Sequence, residues 1–143
     1  MRKLVLIGVV LSLFTMVQTK AQGLDLKGTW KTTQKEVSLT EITFGPKDSL
    51  LMVMDREVFG SKEFKYNGNP ATLTYKLDFS VKPAHLDLII QETESKKQTI
   101  AKGLIMIVKP DLVKIALNFS DGKRPTDFTV SNSSFFKKSS ISI

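Results

Sequence analysis

The sequence predicts an all-β fold, an antiparallel up-and-down β-barrel of about eight strands, on three observations. Apolar and polar residues alternate with a period of two, turn-forming residues interrupt that alternation at hairpin spacing, and helix-period stripes are hard to find after residue 22. In chain order, GTWKTT, EITF, SLLMVM and EVFG are short strand candidates. EFKY then meets ATLTYKLDFSV through Asn67-Gly68-Asn69-Pro70, a run of residues suited to tight turns. Within ATLTYKLDFSV, Leu73, Tyr75, Leu77, Phe79 and Val81 share one face, and Thr72, Thr74, Lys76, Asp78 and Ser80 share the other. After Lys82-Pro83, HLDLII places Leu86, Leu88 and Ile90 on one side and His85, Asp87 and Ile89 on the opposite side. Glu94-Ser95-Lys96-Lys97 leads into TIAKGLIMIV, and Lys109-Pro110-Asp111 leads into LVKIALN, which carries Val113, Ile115 and Leu117 on one face. SSFF, with Phe135 and Phe136, is the closing strand. Many short strands joined by short turns make a meander, and closure of the sheet removes its exposed edges. An open sandwich is the alternative topology.

Arg2 and Lys3 precede the apolar run LVLIGVVLSLF, and Thr19 and Ala21 put small residues at a cleavage site. This pattern predicts a signal peptide over residues 1–21 and a single domain over 22–143. The apolar run is shorter than a bilayer span needs, so no stable membrane span is expected after cleavage. The expected location is periplasmic or extracellular. The chain has no cysteine, so the domain is neither disulfide-linked nor a lipoprotein, and packing alone must hold it together. The formal net charge of +7 falls to about +4 when Arg2, Lys3 and Lys20 leave with the leader. That is a solubility-level charge spread along the chain, and no nucleic-acid partner is expected.

Catalytic chemistry finds little support. Cysteine nucleophiles are excluded, and the single histidine, His85, falls on the polar face of its strand, away from any serine elbow. Glu92 and Glu94 lie at a lysine-flanked turn, Asp55-Arg56-Glu57 reads as a charged loop, and Asp78 and Asp87 face outward as partners for Lys76 and His85. No set of His, Cys or carboxylates has metal-ligand spacing, so no catalytic residue, metal or cofactor is assigned. The apolar faces are what remain. Leu73, Tyr75, Leu77, Phe79, Leu86, Leu88, Ile90, Val113, Ile115 and Leu117 converge inside a closed sheet. An eight-stranded interior is either filled by such side chains or holds one small ligand.

Gly28-Thr29-Trp30, holding the only tryptophan, resembles the G-x-W element of lipocalins and related calycins. In that family the Trp packs across the closed end of the barrel and an arginine commonly lies over it. YKLDFSVKPAHLDLI, AKGLIMIVKPDLVKIALN and GKRPTDF are similar to segments of short secreted bacterial lipocalin-like domains of uncharacterised function. The resemblance implies structural roles for Gly28, Trp30, Arg124, Pro125 and Phe128, with Arg124 set over Trp30 by analogy; a plain surface-loop arginine is the alternative. The chain is shorter than a typical lipocalin, lacks a disulfide and shows no flanking helix. The resemblance implies no reaction, because such folds host binders, inhibitors and enzymes alike. The expected function is therefore that of a secreted, non-catalytic binder of a small apolar or amphipathic ligand, with Tyr75 as the polar contact inside the barrel. A cell-envelope protein-interaction or inhibitor module, with a filled core and a functional loop at Phe119 to Phe128, is the alternative. An enzyme using His85 or loop carboxylates stands third.

Overall fold

The computed structural model describes residues 25–140. The predicted signal peptide, residues 1–21, lies outside the described residues. Ten strands follow one another: β1 (Gly28–Thr32), β2 (Leu39–Phe44), β3 (Leu50–Met54), β4 (Glu57–Phe59), β5 (Lys65–Tyr66), β6 (Asn69–Asp78), β7 (Ala84–Glu92), β8 (Gln98–Lys109), β9 (Leu112–Asn118) and β10 (Ser133–Lys138). The sole helical element among the described residues is a three-residue 3-10 turn, Pro46–Asp48. All strands belong to one sheet in the order β4-β3-β2-β1-β10-β9-β8-β7-β6-β5, and every neighbouring pair is antiparallel. The all-β meander is thus as the alternation predicts.

The expectation of about eight strands needs correction. The short strands β4 and β5 flank two-residue turns whose residues lie in the left-handed region, Asp55 and Arg56 (φ 51 and 68) and Asn67 and Gly68 (φ 51 and 80). That geometry matches the twist of paired strands, so what reads as a charged loop at Asp55-Arg56 is a tight hairpin.

The sheet curls, but no continuous ladder closes it. β4 and β5, at the two ends of the order, do not pair with each other. The curl instead brings β3 and β6 together through a single bridge, Ser49 to Thr74. Phe59 and Phe64 meet edge to face near this seam, with ring centroids 5.7 Å apart. Gly60 fits between them in sequence; a Cβ there would collide with the Leu50 carbonyl oxygen and stand 3.2 Å from Leu73 Cβ. The Phe64 backbone makes local bonds, its N–H donating to Ser61 O and its carbonyl accepting from Ala71 N, which are not ladder bonds between β4 and β5.

The inward face is apolar all round. Leu73, Leu86, Leu88, Ile90, Val113 and Ile115 are buried in one cluster with Trp30, Ile42, Phe44, Leu50, Met52, Ile105 and Phe136, and Tyr75, Leu77 and Leu117 pack against it half-buried. Phe79 is the exception among the expected interior residues. It lies beyond the last paired residue of β6, where the chain turns toward β7, and is 46 % exposed.

Arg124 also departs from expectation. The loop between β9 and β10 folds back over the outer face of the sheet, where Arg124 grips the Asp87 carboxylate with both terminal nitrogens, at 2.6 and 3.2 Å. A further bond of 2.8 Å runs from Arg124 Nη1 to Gly103 O. Asp87 is therefore the partner of Arg124, not of His85, and Arg124 does not cover Trp30. Leu104 and Ala116, which register places opposite one another between β8 and β9, are buried outside the main core cluster. Half-buried Pro125 and Phe128 belong to this loop, and Lys114 Nζ lies 5.7 Å from the Phe128 ring. Charge-assisted, forked bonds of this kind are worth more than neutral ones. Arg124→Ala should lower stability by about 1–3 kcal/mol. Arg124→Lys should recover only part of that, because an ammonium cannot span both carboxylate oxygens. Urea denaturation midpoints of the two variants check this.

Candidate functional site

Antiparallel register assigns the loops to two ends of the curled sheet. At one end Trp30 is fully buried and opposite Lys138 of β10, and its indole N–H donates 2.8 Å to Leu26 O. Lys138 Nζ lies 5.6 Å from the indole ring and donates to Asp25 O at 2.8 Å. Gly28 has φ 112, a backbone conformation that favours glycine, and a Cβ there would stand in ordinary contact, 3.5 Å, with Lys138 Cε. The cation over the tryptophan is thus Lys138. Two polar tips hold the Asp25–Lys27 segment against the end, and Leu26 adds its own buried side chain to the core.

Tyr75 belongs to the region between this end and the seam. Its ring meets Phe44 edge-on at 4.9 Å. Burial pushes its phenol above the ordinary value of 10.0, and the charges of Asp48 and Asp25 push the same way. A raised folded-state value means the neutral phenol stabilises the fold in full below the unfolded value, and this is lost as pH rises through the folded one. Tyr75→Phe should leave stability near pH 7 within about 1 kcal/mol. Stability curves measured from neutral to alkaline pH should show a shallower alkaline decline in the variant than in the wild type.

The opposite end is concave. A hollow of about 420 Å³ opens there, lined by Glu36, Val37, Ser38 and Leu39 from the β1–β2 connection, Ile115, Leu117 and Phe119 at the end of β9, and Val130 to Ser134 at the start of β10. Its floor is Ile115 and Leu117, continuous with the core, and its rim is hydroxyl-rich. The flanking segments are held in place. Gln34 Oε1 accepts the Phe135 N–H at 2.9 Å, tying the β1–β2 connection to β10, while Asn132 Oδ1 accepts the Thr129 N–H and its Nδ2 donates to Asp127 O. Ser133 Oγ donates to Thr129 O. The volume falls within the size range of small-molecule sites.

Of the ten residues expected to line a ligand site, Ile115 and Leu117 line this hollow. Leu73, Leu86, Leu88, Ile90 and Val113 are consumed by core packing, and Tyr75 and Leu77 pack against that core. Phe79 lines a separate apolar hollow of about 380 Å³ at the β6–β7 turn, with Val81, Pro83, Ala84, Ile105 and Ile107. Val37, Leu39, Val130 and the rim serines escape sequence reading because most sit in connections with no periodicity, Leu39, opening β2, being the one with a strand signal; Phe119 begins the loop expected to be functional in the alternative reading.

His85 lies on the outer face, between Asp78 and Leu104 in register, away from the hollow. Asp78 is held below the usual carboxylate range by hydrogen bonds from the Ser80 hydroxyl and N–H. No group of three or more His, Cys, Asp or Glu capable of holding a metal occurs among the described residues. No helix among them is long and apolar enough to cross a membrane. Compared with protein-family models, with curated proteins and with solved structures, the chain has no match.

Proposed function

We propose that the protein is a lipocalin-like binder that holds a small amphipathic molecule at the end opposite Trp30 and does not transform it. The observation that carries this reading is the asymmetry of the two ends. At one, Leu26 and Lys138 close over the Trp30 indole, while the other leaves an apolar floor under a polar rim. Glu36 is the one titratable side chain lining the hollow, so no acid–base pair faces a bound molecule. The leader-like pattern of residues 1–21 puts such a binder outside the cytoplasm, in the periplasm or beyond the cell.

Native mass spectrometry of the protein from its own envelope, followed by denaturing mass spectrometry, tests the reading. The expected result is a mass excess that disappears on denaturation. A ligand present at a hundred times its dissociation constant should stabilise the fold by about 2.7 kcal/mol. Leu117→Trp, which fills the hollow from its floor, should abolish both signals while the protein stays folded. If that variant still carries the bound mass, the hollow is not the site.

A second reading rests on a specific observation: Phe119 and Val130, which line the hollow, are exposed, Val130 at 98 %. A protein-interaction module using the β9–β10 loop would explain them. It predicts no bound small molecule and loss of a protein partner in Val130→Asp with stability unchanged.

A further inference from the structure

Resting on the reading of the hollow as a ligand site, we infer that it selects amphiphiles whose polar end is an amine or an uncharged hydrogen-bond donor, and discriminates against carboxylates. Its polar lining consists of the Glu36 carboxylate, the hydroxyls of Ser38, Ser131, Ser133 and Ser134 and the Asn132 amide, with no lysine or arginine. Several of these groups are already committed. Ser133 Oγ bonds Thr129 O, Ser131 Oγ bonds Thr129 Oγ1, and both ends of the Asn132 amide are used by Thr129 and Asp127. Glu36, Ser38 and Ser134 are what remain to meet a ligand. The two ion pairs among the described residues, Lys31 with Glu41 and Arg124 with Asp87, do not involve Glu36. Lys35, the chain neighbour of Glu36, does not line the hollow, and Arg56 lines a different one that shares only Val37 and Ser38 with it, and Asp55 lines that one too.

Glu36 lies exposed on the rim. Its backbone is in the left-handed region (φ 59), and two residues earlier the Gln34 side chain is bonded to β10. A ligand carboxylate seated over Ile115 and Leu117 would meet hydroxyls and a like charge with no cation to offset it. An ammonium in the same place would gain a charge-assisted partner, and a hydroxyl would find acceptors. This preference runs against the net charge of the domain, about +4 once the leader's three cations are removed, which favours anions at long range. A preference for a cationic head can therefore come only from the local site.

Decylamine, decanol and decanoate share one tail and differ in the head, so they separate the two levels of the argument. Each is titrated into the whole protein below its micelle concentration, at neutral pH and physiological salt, in wild type and in Leu117→Trp. Decylamine is expected to bind tightest and decanoate weakest, with roughly tenfold between them, and Leu117→Trp is expected to abolish binding of all three. Glu36→Gln should weaken decylamine by about fivefold and leave decanol unchanged. Decanoate binding as tightly as decylamine, or an amine affinity insensitive to Glu36→Gln, overturns the head-group selectivity while the hollow stands as a binding site. Binding of none of the three, or binding that survives Leu117→Trp, removes the hollow as the site and the selectivity with it.

Discussion

Trp30→Ala is expected to lower the free energy of unfolding by about 3–5 kcal/mol, the range for truncating a large aromatic in a packed core. The indole is fully buried, and it makes two contributions. Its rings fill the space among the strands at the sealed end, and its N–H satisfies the Leu26 carbonyl at 2.8 Å. Alanine leaves a cavity and an orphaned acceptor, and it removes the surface under Lys138. Trp30→Phe separates these effects. It keeps most of the apolar bulk and loses the hydrogen bond, and should cost about 1–2 kcal/mol. Urea unfolding followed by circular dichroism reads both. A wild-type midpoint in Trp30→Ala would show that this end is not held by the indole.

Gly60→Ala is expected to be the second severe change, at about 2–4 kcal/mol, the sum of left-handed strain and overpacking. Gly60 has φ +90, and an added Cβ would collide with the Leu50 carbonyl oxygen and crowd Leu73. Both neighbours belong to the strands that meet at the seam. Gly68 supplies the control, because it has φ +80 and nothing within 4 Å of its hypothetical Cβ. Gly68→Ala should therefore show only the strain, about 1 kcal/mol. Thermal denaturation of the two variants side by side gives the difference due to the close approach of β3 and β6. Equal losses would mean that the seam is not tightly packed at Gly60.

Residues with period-two patterning were legible from the sequence. Leu86, Leu88, Ile90, Val113 and Ile115 point inward as alternation predicts, and His85 and Asp87 point outward. Alternation is a local property of the pleat, and each strand carries its own record of which face meets the core. Phe79 shows the limit of that record. Its parity continues the inward face of β6, but the paired strand ends at Asp78, and parity means nothing beyond the last ladder partner. The inward set likewise did not reveal which of its members would be packed and which would stay open to a ligand.

By itself the sequence determined the strand and turn order, the inward faces and the absence of disulfides. Those follow from side-chain chemistry and short-range backbone preference. Only the tertiary structure decided that Arg124 pairs with Asp87 and Lys138 covers Trp30, that the sheet meets itself at Ser49 and Thr74 without a closing ladder, and that the hollow lies opposite Trp30. Each of these joins groups far apart in the chain. Such pairings are set by how the whole sheet curls, and no local pattern of residues encodes that curvature.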